Sequence, residues 1–243
     1  MTELKFLLGE NIELSNGIIV KFPTLREIAN VGENNYFGMV NTITSTPADL
    51  NWQLSEQGID YTQISEFALF STLILTTLKK YPIDMIFVNE DFQNYIPIYD
   101  ENIKDISLLK NINTGRIITI SDYNELTDLL RKIHNFKKNE KKPANESTKQ
   151  VLIELAKSDY MANLQKKQKS ILANLISAMV NSEGFKYNYE TVWDLKLNNF
   201  MNSVQRINKI KQSELLLQSG YSGFGISLKD INKDELNWLG DIN

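Results

Sequence analysis

Residues 67–78, FALFSTLILTTL, are the longest nearly uncharged apolar stretch in the chain. A bilayer-spanning helix needs about 20 such residues, so these 12 are too few to cross a membrane. Wound as a helix they are apolar almost all round, and such a helix is stable only inside a core. The pattern predicts a helix from about Thr62 to Lys80, ended by Pro82, at the centre of an N-terminal domain.

The flanking segments supply layers for that helix. Asn16-Gly17 within NIELSNGIIVKF predicts a β-hairpin with a type I′ turn, and Pro23 stops its second strand. Thr24 with Glu27 three residues on reads as a capping box opening a helix through TLREIANVGE, followed by a second helix over YFGMVNTI. Thr46, Pro47 and Gly58 bracket a further helix as cap, first position and stop. Residues 83–100 are rich in Ile, Phe, Tyr and Val and predict one or two strands, with Pro97 on an edge. Residues 116–120, RIITI, predict another strand, and Ser121 caps a helix to about Asn135 that carries Leu126, Leu129, Leu130 and Ile133 on one face.

Beyond residue 136 the pattern becomes helical alone. KKNEKKPANESTK holds five lysines, one proline and no large apolar residue, which predicts a linker at 137–147. One helix is expected from about Thr148 to Asn181 and a second from Tyr189 to Gln218, joined by a short connection as an antiparallel hairpin. The expected fold is therefore α+β: a mixed domain over 1–136 with a small, mostly antiparallel sheet, and a helical hairpin over 148–243 with a C-terminal tail.

Composition excludes more than it assigns. With 42% hydrophobic and 23% charged residues the chain is globular, and a net charge of −4 argues against a general polyanion binder. No cysteine is present, which removes disulfides, thiolate metal sites and cysteine nucleophiles. The single histidine, His134, falls late in a predicted helix, where a cation suits the dipole, so a structural role is expected. No G-x-S-x-G presents a serine to it. The acidic residues are scattered and form no calcium-loop pattern. No catalytic residue, metal site or cofactor is expected. The glycines Gly220, Gly223 and Gly225 follow a helix rather than a strand, so they read as a turn and not a phosphate loop. The lysines at 137–142 lack interleaved aromatics, which disfavours nucleic acid as a partner. Trp193 reads as helix core.

The last segment is different. Residues 226–239 place Ile226, Leu228, Ile231, Leu236, Trp238 and Leu239 among charged residues. It is too short to bury its own apolar surface. It is expected to bind a partner, or to dock on the hairpin of its own chain or a neighbouring subunit, with Trp238 as main anchor.

Two blocks carry a resemblance. Residues 22–61 contain P-T-L-x-E-I and G-E-x-x-Y; residues 189–210 and 221–239 contain W-D-L, a Tyr-Ser-Gly step and a terminal Asn-Trp. Together they resemble structural-cassette proteins of tailed bacteriophages of low-GC Gram-positive bacteria, several of them tail assembly chaperones. The resemblance implies a non-enzymatic factor in the cytoplasm of the bacterial host that binds a tape measure or tail tube protein. A structural tail or baseplate subunit of the virion is the alternative, and a nucleic-acid-binding phage protein is a third reading. No signal peptide and no membrane association are expected, and self-association is left open.

Overall fold

The computed structural model describes residues 3–164, 169–222 and 231–240. The fold is α+β, mostly helical with two small antiparallel sheets. In chain order the elements are α1 (Glu3–Leu8), β1 (Ile12–Glu13), β2 (Ile19–Val20), α2 (Leu25–Val31), α3 (Glu33–Thr44), α4 (Asn51–Glu56) and α5 (Glu66–Leu69). A π turn (Phe70–Ile74) runs directly into α6 (Leu75–Leu78). Then come β3 (Tyr95–Asp100), β4 (Asp105–Asn111), β5 (Ile117–Thr119), α7 (Ile120–His134), α8 (Glu146–Leu164), α9 (Ile171–Val180), α10 (Leu197–Tyr221) and α11 (Lys233–Leu236).

These elements form two compact units. One consists of residues 1–9, 24–26 and 170–243, the other of 10–23 and 27–169. The expected linker at 137–147 lies inside the second unit. Lys138 pairs with Glu66 at 2.8 Å and the Asn139 amide donates to Asp49 at 2.8 Å, so its polar side chains fasten it to its own unit. The expected helix from Thr148 to Asn181 comes as two, α8 and α9, and the two fall in different units.

The second unit is built around the uncharged stretch. Ser65 caps α5 by accepting from the Ala68 amide, so the helix starts four residues later than its hydrophobicity suggests. Phe67, Leu69, Phe70, Ile74 and Leu78 are all buried. Phe70 and Phe67 stack on Tyr123 of α7 at centroid distances of 4.9 and 5.7 Å, and Phe92 joins Phe70 edge-on. α3 adds Tyr36, Met39, Val40 and Ile43 to the same core. α7 opens on a capping box made by Thr119 and Asp122, not by Ser121, because Thr119 closes β5 with an extended backbone and its hydroxyl is free to turn back. It ends on Asn135 in the left-handed conformation.

The first hairpin pairs β1 with β2 antiparallel, but through a three-residue loop. The Leu14 amide donates to the Ile18 carbonyl at 2.8 Å and Gly17 alone has positive φ, at 81°. The Asn16 side chain accepts from the Ile18 amide at 3.1 Å, which holds Asn16 out of the left-handed region that a type I′ turn would require. The other sheet has the order β3-β4-β5, antiparallel throughout, with Pro97 on the edge strand β3. The central strand β4 is not anticipated by the sequence reading. Residues 83–85 and 92–94, expected as strand, are tight 3-10 turns.

His134 is neutral rather than cationic. It is 2% exposed, and burial lowers its pKa to about 4. The Leu130 carbonyl can only accept, so Nδ1 carries the hydrogen and donates at 2.6 Å. Nε2 then accepts from the Tyr36 hydroxyl at 2.7 Å.

Candidate functional site

The candidate surface belongs to the first unit and is organised by α10, a helix of 25 residues. Its first turn is anchored: Leu197, Asn198 and Phe200 are buried, and the Asn198 amide donates to the Phe6 carbonyl of α1 at 2.5 Å. Phe185 packs edge-on against Phe200 at 6.3 Å. Farther along, Ser213 is the one residue of α10 beyond Phe200 that is fully buried.

The C-terminal segment explains that burial. The Ser213 hydroxyl donates to the Glu235 carbonyl at 2.6 Å. Arg206, seven residues earlier and so on the same face of the helix, donates through Nη1 to the Trp238 carbonyl and to the Gly240 carbonyl, the latter at 2.9 Å. Asn232 caps the single turn α11 by accepting from the Asp234 amide. Ile231 is buried at 8% exposure. The segment therefore docks on its own helix through three backbone carbonyls.

The sequence-predicted partner residues fall into three groups. Ile231 faces inward and Leu236 is half-buried. Trp238 and Leu239 are turned outward, 48% and 73% exposed, and Leu215 and Tyr221 of α10 are exposed as well. Ile226 and Leu228 lie outside the described residues, as do Gly223 and Gly225. The docking contact on Trp238 is made by its carbonyl, and Arg206, which makes it, was not singled out by the sequence. The i, i+7 spacing of Arg206 and Ser213 was the available signal, though nothing in it says that carbonyls of a later segment are the target.

The two motif blocks meet in this unit. The Leu25 amide donates to the Leu195 carbonyl at 3.0 Å, and Thr24 bridges Lys196 in antiparallel fashion. Arg26 pairs with Asp194 at 2.9 Å. P-T-L-R and W-D-L-K thus form one short strand-like contact between segments about 170 residues apart. Trp193 is half-buried, its indole N–H donating to the Tyr189 carbonyl at 2.9 Å.

The second unit holds an open cleft of about 900 Å³ lined by Thr46, Asp60, Tyr61, Glu66, Lys142 and Lys149, among others. Three of its charges engage one another: Lys149 lies 2.8 Å from Asp60 and 3.3 Å from Glu146. The Lys149 ammonium beside Asp60 lowers that carboxyl to about 2. Among the described residues no group of three or more His, Asp or Glu could hold a metal ion, and no helix is long and apolar enough to cross a membrane.

Residues 165–243, about a third of the chain, match the family model described as the YomV second domain. The matched stretch covers α9, α10, α11 and the W-D-L element. No curated protein and no solved structure matches the chain.

Proposed function

We propose that the chain is a non-enzymatic protein-binding factor of phage tail morphogenesis, a tail assembly chaperone or close relative, acting on a tape measure or tail tube protein in the host cytoplasm. The observation that supports a binding role is the C-terminal segment. It is held to α10 through backbone carbonyls that accept from Arg206 and Ser213, and it presents Trp238 and Leu239 outward. Ile231 is the buried side chain of the segment, and burying one such side chain is worth roughly 1.5–3 kcal/mol, enough to hold a segment and little enough to exchange it. Aromatic side chains with open faces are the usual anchors of protein contacts. The tail setting rests on the sequence resemblance.

The test is co-expression with tape measure and tail tube proteins of tailed phages of low-GC Gram-positive bacteria. The full chain should keep one of them soluble and co-purify with it. A chain truncated after Gly225, and the milder Trp238→Ala variant, should stay folded by circular dichroism and lose that partner. Undiminished co-purification by both variants rejects the role of the segment. Recovery of the protein in purified virions at fixed copy number replaces the chaperone with the structural-subunit reading.

A further inference from the structure

The outer face of the β3–β4–β5 sheet is aliphatic, where an antiparallel sheet open to water is ordinarily polar. Its inner face is conventional, with Tyr95, Leu109, Asn111 and Ile118 buried. On the outer face Ile96, Lys110 and Ile117 form one row across the strands, and Ile98, Leu108 and Thr119 the next. Alternation along β4 puts Ile112 on the same side. Ile96, Ile98, Ile112 and Ile117 are 44%, 37%, 61% and 41% exposed. Lys110 stands in the middle, with Ile96 and Ile117 across the strands and Leu108 and Ile112 along its own. It forms no ion pair among the described residues.

We infer that this face docks an amphipathic helix of a partner protein whose apolar stripe carries a carboxylate at its centre, opposite Lys110. Edge pairing is a poor alternative. Pro97 removes a donor from the free edge of β3, the register shifts between Ile98 and Tyr99, and β5 has only three residues. The face itself is three strands across, about 10 Å, the width of one helix. Charge argues against a second copy, because a two-fold contact centred on this face would bring Lys110 toward its own counterpart. Area argues the same way. The exposed aliphatic surface is on the order of 300 Å², within the range of functional patches on monomers. Two such faces would bury far less than the ~1,200 Å² of a stable dimer. A partner that adds an acid gains a charge pair in an aliphatic ring, where water screens it less than on open surface. This surface belongs to the second unit, and the C-terminal segment to the first.

The probe is a designed helical peptide of about 15 residues with leucines at i, i+3, i+4 and i+7 and one glutamate inside that stripe. A twin carries lysine at that position. Titrated into the full-length protein and followed by fluorescence anisotropy, the glutamate peptide should bind in the micromolar range and the lysine peptide about tenfold or more weakly. In a Lys110→Glu variant that order should reverse. An Ile96→Ser/Ile117→Ser variant, folded by circular dichroism because both side chains are surface groups, should lose at least about tenfold in affinity for the glutamate peptide. Equal affinity for the two peptides, no reversal in Lys110→Glu, indifference to the serine changes, or no saturable binding overturns the inference. So does a sedimentation profile showing a dimer that Ile117→Ser dissociates, since the occupant would then be a second copy.

Discussion

Tyr36 and His134 share one hydrogen bond in the core of the second unit, and burial sets the protonation of both. Desolvation pushes the Tyr36 hydroxyl far above its ordinary range, so it stays a donor. Desolvation lowers His134 to about 4, against about 6.5 in the unfolded chain. Between those values the unfolded chain binds a proton that the folded chain refuses. The stabilisation is therefore complete above pH 6.5 and is lost as pH falls toward 4, by an amount on the order of 3 kcal/mol. Because the chain has one histidine, comparing urea midpoints of the wild type and a His134 variant between pH 7 and 4.5 separates this group from the carboxylates, which titrate in both. The wild-type midpoint should fall with pH, and a His134→Gln variant should show a flatter profile. Equal slopes would show that His134 is not the group responsible.

Two local elements rest on single residues. The β1–β2 loop needs Gly17 at a φ of 81°, a backbone region closed to other residues except at a cost. Space is not the obstacle, since a Cβ there would meet its nearest neighbours at 3.8 Å. Gly17→Ala should therefore destabilise by about 1–2 kcal/mol through backbone strain alone, seen as a lower thermal midpoint. β5 is held differently. Arg116, at its start, pairs with Glu90, whose side chain is only 3% exposed and also accepts from the Tyr95 hydroxyl at 2.8 Å. Arg116→Leu leaves that carboxylate buried without its cation and should cost about 3–5 kcal/mol in chemical denaturation. Adding Glu90→Gln to it should recover a large part of the loss, whereas additive losses would mean that the pair is not coupled.

At the scale of the molecule, the chain returns to its own beginning. The unit that contains residues 170–243 also takes in residues 1–9 and 24–26. The Phe6 carbonyl receives Asn198, the Leu25 amide reaches Leu195, and Arg26 meets Asp194. A fragment of residues 165–243, the stretch that matches the YomV second domain, leaves those groups unpaired. Expressed alone it should unfold at lower temperature and with less cooperativity than this unit does in the full chain. Adding a peptide of residues 1–30 should restore part of the loss. A fragment as stable and cooperative as the intact protein would show that the N-terminal segments are accessory. The division proposed from the lysine-rich stretch, with a linker at 137–147, is checked by limited trypsin. First cuts near Lys138 or Lys142 support it, and first cuts at Lys166, Lys167 or Lys169 favour the boundary at residue 169.

Local pattern and composition determined much of this protein. The large apolar side chains of the uncharged run at 67–78 had to be mostly interior, Asn16-Gly17 had to turn the chain, Pro97 had to sit on an edge, and the α7 face of Leu126, Leu129, Leu130 and Ile133 had to be buried. Each follows from steric or solvation limits that act within a few residues. Tertiary structure decided what depends on distant partners. β4 became a strand because β3 and β5 pair with it on both sides, although its own alternation is interrupted at Ser107-Leu108. The lysine-rich stretch joined the second unit because Glu66 and Asp49 lie within reach. The C-terminal segment settled on α10 because Arg206 and Ser213 offer donors to carbonyls that every residue possesses. A backbone carbonyl carries no sequence signature, so contacts made through it can be found only once the chain has folded.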